Sequence, residues 1–293
     1  MSVRIITDSA ADIPQELAAA WQITVLPLRI RFENDPAAGP GDYLDGITLS
    51  TDRFYEKLIV EKLDPKTSLI PPADYEAAFA AAEEAGDTVV LISISSGVSG
   101  TYQSALIAAQ GYDGTVWAVD SMEFCISQRI LVELAVRLRD KGLSAPEIAA
   151  RIERAKGEVE IIALFDTLEY LKRGGRLSKA SSFVGGILSI KPVLTITDGV
   201  VNVLKKARGS AKGIELMKEY VAEHGGIERS MPYCFGYTGL SRERLLSFIE
   251  ESRGLLDDSS DQPPIAHVGA AVGTYAGPDA IALAFFPKGT AEL

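Results

Sequence analysis

Apolar and polar positions follow two rhythms over the first 165 residues. The β-branched runs Val3–Thr7, Ile23–Phe32, Thr88–Ile94, Thr115–Val119 and Val159–Phe165 predict strands. Between them the spacing predicts helices: a first one entered at Asp8 to Pro14, one opened by Ser50 or Thr51 with Asp52, then Ala73–Ala85, Gly100–Gln110, Met122–Lys141 and Ala145–Ala155. Strands alternating with helices, with polar residues gathered where strands end, predict a doubly wound, mostly parallel sheet in an N-terminal α/β domain. A turn-rich stretch, about 27–50, reads as a hairpin-like insertion.

After Asp166 the rhythm changes. Phe183–Ile190, the pair Pro192–Thr197 and Val200–Leu204 around Asp198-Gly199, helices Ala211–His224 and Arg242–Arg253, and strands Pro232–Thr238 and Ala280–Phe285 predict an α+β domain with a mixed or antiparallel sheet. Asp-Gly between two apolar runs is a two-residue hairpin signal. The expected division is 1–165 and 166–293.

Composition narrows the chemistry. The chain has 293 residues, 47% of them hydrophobic, and 29 basic against 40 acidic side chains give a formal charge of −11. So acidic a surface repels phosphate backbones, which argues against nucleic-acid binding and allows at most transient contact with a membrane surface. Mean hydropathy is high at +0.12, yet the longest charge-free run, Thr88 to Tyr112, is broken by serines and glycines and does not read as a membrane span. Two isolated cysteines, Cys125 and Cys234, make no disulfide or zinc pattern, and with no signal-peptide pattern a cytoplasmic location is expected. No metal site is predicted. With only His224 and His267, general-base chemistry is constrained.

The most unusual segment is Ser93 to Ser104, Ser-Ile-Ser-Ser-Gly-Val-Ser-Gly-Thr-Tyr-Gln-Ser, at a strand end before a helix. Its hydroxyls and free N–H groups suit a small anion held by neutral donors. Asp8-Ser9, Thr67-Ser68 and Asp120-Ser121 finish other extended segments and should converge on the same crevice. Ser96-Gly97-Val98-Ser99-Gly100 misses the G-x-S-x-G nucleophile elbow, and His267 is the one plausible partner base, so a serine hydrolase is disfavoured. Two readings of the crevice stay open: a binding site, or an enzyme acting on a small carboxylate or phosphorylated metabolite with Asp8 or Asp120 as base.

Five blocks carry a family resemblance: Ile5 to Pro14, Lys66-Thr67-Ser68, Ser95 to Ala105, Asp166 to Leu177, and Ile190 to Leu194. In this order they resemble the DegV family across the whole chain. The resemblance implies a bacterial cytoplasmic, non-catalytic protein that binds one long-chain fatty acid and needs no other cofactor. It further implies a separate fatty acid kinase as partner, although a lipid-sensing regulator would share the same site. Thr67 and Ser96 match the hydroxyls that hold the carboxylate, with Ser68 and Ser95 beside them, and Gly97 matches the position where backbone approaches the head group. Arg173 and Arg176, with Lys172, match the basic block that faces the ligand opening and the kinase. Phe183, Val184, Ile187, Leu188 and Ile190 are candidates for the acyl tunnel. One departure stands out: where the family has Gly-x-His-x-Gly-Pro-Gly, this chain reads Gly273-Thr274-Tyr275-Ala276-Gly277-Pro278-Asp279, so that Tyr275, a phenol that cannot become cationic, takes the histidine's place.

Overall fold

The computed structural model describes residues 2–33, 35, 41–177, 190–255 and 262–290. Its strands are β1 (Val3–Asp8), β2 (Ile23–Leu26), β3 (Arg29–Glu33), β4 (Tyr43–Leu44), β5 (Asp64–Ser68), β6 (Thr88–Ser93), β7 (Val116–Asp120), β8 (Glu160–Leu164), β9 (Ile190–Thr197), β10 (Val200–Arg208), β11 (Cys234–Tyr237), β12 (Ile265–His267) and β13 (Ile281–Phe285). The helices are α1 (Gln15–Ala20), α2 (Thr51–Tyr55), α3 (Pro72–Glu84), α4 (Thr101–Ala108), α5 (Cys125–Asp140), α6 (Ala145–Ala155), α7 (Glu169–Arg173), α8 (Gly209–Glu223), α9 (Glu243–Glu251) and α10 (Ala270–Ala276).

The fold is a two-domain α/β architecture. Four parallel strands in the order β2-β1-β6-β7 form the first sheet. The chain leaves β1 in one direction for β2 and returns on the other side for β6, so the crevice above β1 and β6 is the switch point where such sheets bind ligands. One face packs against α3 and α4 through Val89, Leu91, Phe79 and Ala105; the other packs against α5 and α6 through Val90, Ile92, Ile130 and Ile148. A β4-β3-β5 antiparallel sheet covers one end, so the expected insertion extends past residue 50 and takes in Thr67.

The second sheet has the order β10-β9-β8-β13-β11-β12, antiparallel except for β11–β12. Here one strand departs from expectation. Val159–Phe165 reads as the last strand of the first sheet, but β8 pairs antiparallel with β13 and β9 in the second. A short run buried on both faces carries no pattern that tells the two directions apart. The sheet's outer face packs on α8 and α9 through Ile162, Leu164, Met217 and Phe248. Its inner face, with Ile161, Ala163, Ala282 and Ala284, packs on α5 of the first domain. Helix α5 is therefore shared, and this explains why so many of its side chains are buried.

Helix α5 also starts three residues later than expected. Met122 (φ 55°) and Cys125 (φ 61°) are left-handed, and the Asp120 and Ser121 side chains hold the N–H groups of Met122 and Glu123. A helix cannot run through two such residues. Where the local chemistry is decisive the sequence reading agrees: Asp198 (φ 52°) and Gly199 (φ 74°) form the β9–β10 turn, and Ser144 with Glu147 makes the capping box of α6. No helix of the described residues is long and apolar enough to cross a membrane.

Candidate functional site

An apolar cavity of about 60 Å³ lies in the seam between the domains. Strand alternation builds it. Ile161, Ala163 and Phe165 point inward from β8 and its end, Ala280 and Ala282 from β13, and Gly236 from β11, facing Cys125 and Phe124 of the first domain. The small residues leave the space: a Cβ at Gly236 would approach Ile126 Cγ2 to 3.1 Å. A second cavity of about 50 Å³ adjoins the first, and Phe124, Val201 and Val272 line both. Phe124 packs against three of the four hydrophobic clusters among the described residues yet stays only half-buried, and it lines both of these spaces.

The second cavity ends in polar groups. Thr67 closes one side from β5 and Tyr275 the other from α10, with their hydroxyls 2.6 Å apart. Arg176 stacks its guanidinium over the Tyr275 ring at 4.9 Å and is itself fixed by the carbonyls of Val98 (3.2 Å) and Gly174 (2.7 Å). Gly174 makes room for the phenol, since a Cβ there would fall 2.3 Å from Tyr275 Cδ1. Outside the Thr67–Tyr275 pair lies a further pocket bordered by Lys66, Arg173 and Arg176. Arg173 pairs with Asp64 at 3.0 Å and lies over the Tyr170 ring.

The remaining predicted residues are placed differently. Ser95 is fully buried; its hydroxyl donates to the Gly199 carbonyl (2.8 Å) and accepts from the Gly97 N–H (3.1 Å). Gly97 itself allows close packing on Gly199, whose carbonyl oxygen a Cβ would approach to 2.8 Å. These two residues clamp the loop to the β9–β10 turn of the second domain. Ser96 is exposed, with its N–H on Asp120 Oδ1 (3.1 Å), and Ser68 is exposed at the end of β5. Farther along the loop, Val98 and Ser99 line the second cavity. Of the tunnel candidates, Phe183, Val184, Ile187 and Leu188 lie outside the described residues, and Ile190 begins β9 without lining either cavity. Sequence reasoning missed the Phe124, Ala163 and Ala282 lining; inward-facing small residues on strands were the available signal.

The two carboxylates weighed as bases have structural engagements. Asp8 is fully buried and accepts from the Ser93 hydroxyl, the N–H groups of Ile94 and Ala10, and the Gln128 amide. Burial outweighs these bonds and raises its pKa to about 6. Asp120 holds the N–H groups of Ser96 and Met122. Neither carboxylate lines the two apolar cavities.

Fold and seam together define a class: two-domain α/β proteins with an apolar pocket closed between a parallel and a mixed sheet. The chain belongs to the DegV family, whose model, described as an uncharacterised protein of that family, matches residues 2–288. A DegV domain-containing protein of Caldanaerobacter subterraneus is 33% identical over 289 residues, covering 98% of this chain and 99% of the relative. Among solved structures, a DegV family protein of Thermus thermophilus, described for its fatty acid binding, superposes with a TM-score of 0.85 at 28% identity, covering 98% of this chain and 100% of that one. A stearic acid-binding protein of Eubacterium ventriosum gives 0.84 at 27%, with 98% and 99% covered.

Proposed function

We propose that this protein binds a single long-chain fatty acid between its domains, with the tail in the apolar seam and the carboxylate at the Thr67–Tyr275 end, and presents the head group to a separate kinase. The observation that carries this reading is the continuity of wall residues: Phe124, Val201 and Val272 belong both to the wholly apolar cavity and to the one that ends in two hydroxyls and Arg176. An elongated molecule with one polar end matches that gradient. Each methylene removed from water contributes about 0.8 kcal/mol, and each hydrogen bond to a charged head group about 1.5–3 kcal/mol. Thr67 and Tyr275 exchange their mutual bond for two bonds to the carboxylate, with Ser96 and Ser68 at the rim. Arg173 and Arg176 border the outer pocket, where a kinase reaches the head group. The fatty acid binding described for the Thermus thermophilus and Eubacterium ventriosum proteins supports the ligand class.

Lipid extraction and mass spectrometry of protein purified from cells test the reading. A near-stoichiometric long-chain acid is expected. A lipid-free protein that also fails to bind added oleate overturns it.

A further inference from the structure

A third cavity, about 430 Å³, shares no lining residue with the two apolar ones. It lies beyond the C-terminal end of β1, on the β2 side of the switch point, and its chemistry is polar. Arg129 of α5 lines it. This side chain is 6% exposed, lies over the Trp21 ring and makes no ion pair within 4 Å among the described residues, its charge acting on the Asp12 carboxylate only through space. Its Nη1 makes one long bond of 3.4 Å to the Asp12 carbonyl, and its buried Nε has no acceptor. A guanidinium so placed calls for an anion, which it can grip through two parallel N–H groups.

The same cavity is also lined by acceptors. Asp12, 7% exposed, accepts from the Gly269 N–H through Oδ1 (2.7 Å), while Oδ2 has no partner; burial raises the pKa of this carboxyl to about 7 and the Arg129 charge acts the other way, so near neutral pH both of its forms are present. His267 is sandwiched between Tyr237 and Tyr55 and bonds the Gly239 carbonyl through Nε2, so Nε2 carries the proton and Nδ1 is an acceptor. Burial lowers the His267 pKa and favours this neutral form. Its Nδ1, an acceptor in this form, lies 3.5 Å from Oδ1 of Asp52, a largely exposed carboxylate that also lines the cavity.

We propose that this cavity is a second ligand site, for a small carboxylate that also bears an amino or hydroxyl group. The carboxylate pairs with Arg129, beside the Ser50 and Thr51 hydroxyls, and the donor group serves Asp12 Oδ2 and the His267–Asp52 pair. The guanidinium disfavours a bare metal ion. The site also touches the lipid seam: Asp12 and Asp45 hold the N–H groups of Gly269, Ala270 and Ala271 at the start of α10, and that helix carries Val272, Tyr275 and Ala276 into the other cavities.

The test is calorimetric titration of the whole protein with glycine, L-serine, L-lactate and L-malate, using acetate, methylammonium and magnesium chloride as controls. Oleate binding is measured separately, so that failure of the lipid reading and failure of this one are distinguishable. At least one two-group probe is expected to saturate, with acetate and methylammonium at least about tenfold weaker. Arg129→Gln should weaken that probe at least about tenfold and leave oleate binding in place. Should this variant fail to fold, the His267 ring NMR signals of the parent protein should shift with the probe. No saturation by any of the four, equal binding of acetate alone, or binding of magnesium alone overturns the proposal.

Discussion

The Thr67 hydroxyl lies 2.6 Å from the Tyr275 hydroxyl, a contact that joins strand β5 to helix α10 across 208 residues of chain. Either oxygen can donate, so each satisfies the other while no anion lies between them. A carboxylate placed there accepts from both. Thr67→Val and Tyr275→Phe should each weaken oleate binding by about tenfold or more, on the scale of one hydrogen bond to a charged group. The double variant should lose less than the sum of the two, because the singles share one anion. Isothermal titration of delipidated protein checks this, and additive losses would separate the two hydroxyls.

Gly174 governs the same phenol without touching the ligand. It ends α7 with φ −79°, a conformation alanine adopts freely, yet an added Cβ would lie 2.3 Å from Tyr275 Cδ1. Gly174→Ala should therefore push the ring aside and weaken oleate binding in the same direction as Tyr275→Phe. Gly157→Ala, whose Cβ meets nothing within 4 Å, is the control. Equal affinity in both variants would show that the phenol's position is unimportant.

Filling the seam should change which acid is carried. Ala282 and Ala163 face the apolar cavity from adjacent strands β13 and β8. Ala282→Leu places three more carbons in that space. Each methylene of ligand it excludes forfeits about 0.8 kcal/mol, so the extracted acids should shift to shorter chains, with affinity for oleate reduced and the melting temperature held or raised. An unchanged lipid profile would put the tail elsewhere.

How much of this was legible in the sequence depended on how local its cause is. The Asp198-Gly199 turn and the Ser144–Glu147 capping box are set by a few adjacent residues, and both were readable. Helix α10 was not: Ala270 to Ala276 is small and nearly featureless, and its start is held by Asp12 and Asp45, the latter 225 residues away from Ala270. Tyr275 was picked out by motif position alone, and only the fold shows that Thr67 is its partner. The seam was hidden for a related reason. Ala163 and Ala282 read as ordinary strand core, because nothing in a strand says which of its faces meets another domain. The apolar block Phe183 to Leu188, expected to line a tunnel, lies outside the described residues, and the described cavity walls come from β8, β13 and the segment around Phe124.

Glu123 predicts a pH dependence of stability. It is 5% exposed in the segment that places Phe124, and one carboxyl oxygen, Oε2, lacks a partner. Burial, reinforced by the charge of Glu160, raises its pKa from 4.5 to about 8. The folded protein therefore keeps this carboxyl protonated over a range where the unfolded chain has released the proton. More protons bound in the folded state means that stability falls as pH rises, by about 1.4 kcal/mol per pH unit at most, from the unfolded value up to about 8. Asp8, raised to about 6, and Asp12, raised to about 7, act in the same direction over the lower part of that range. Glu123→Gln keeps the shape of the protonated acid and removes its titration. Urea midpoints of parent and variant should be close at pH 5, with the variant the more stable at pH 8. A variant less stable at pH 8 would mean that the ionised carboxylate makes a stabilising contact in the folded protein.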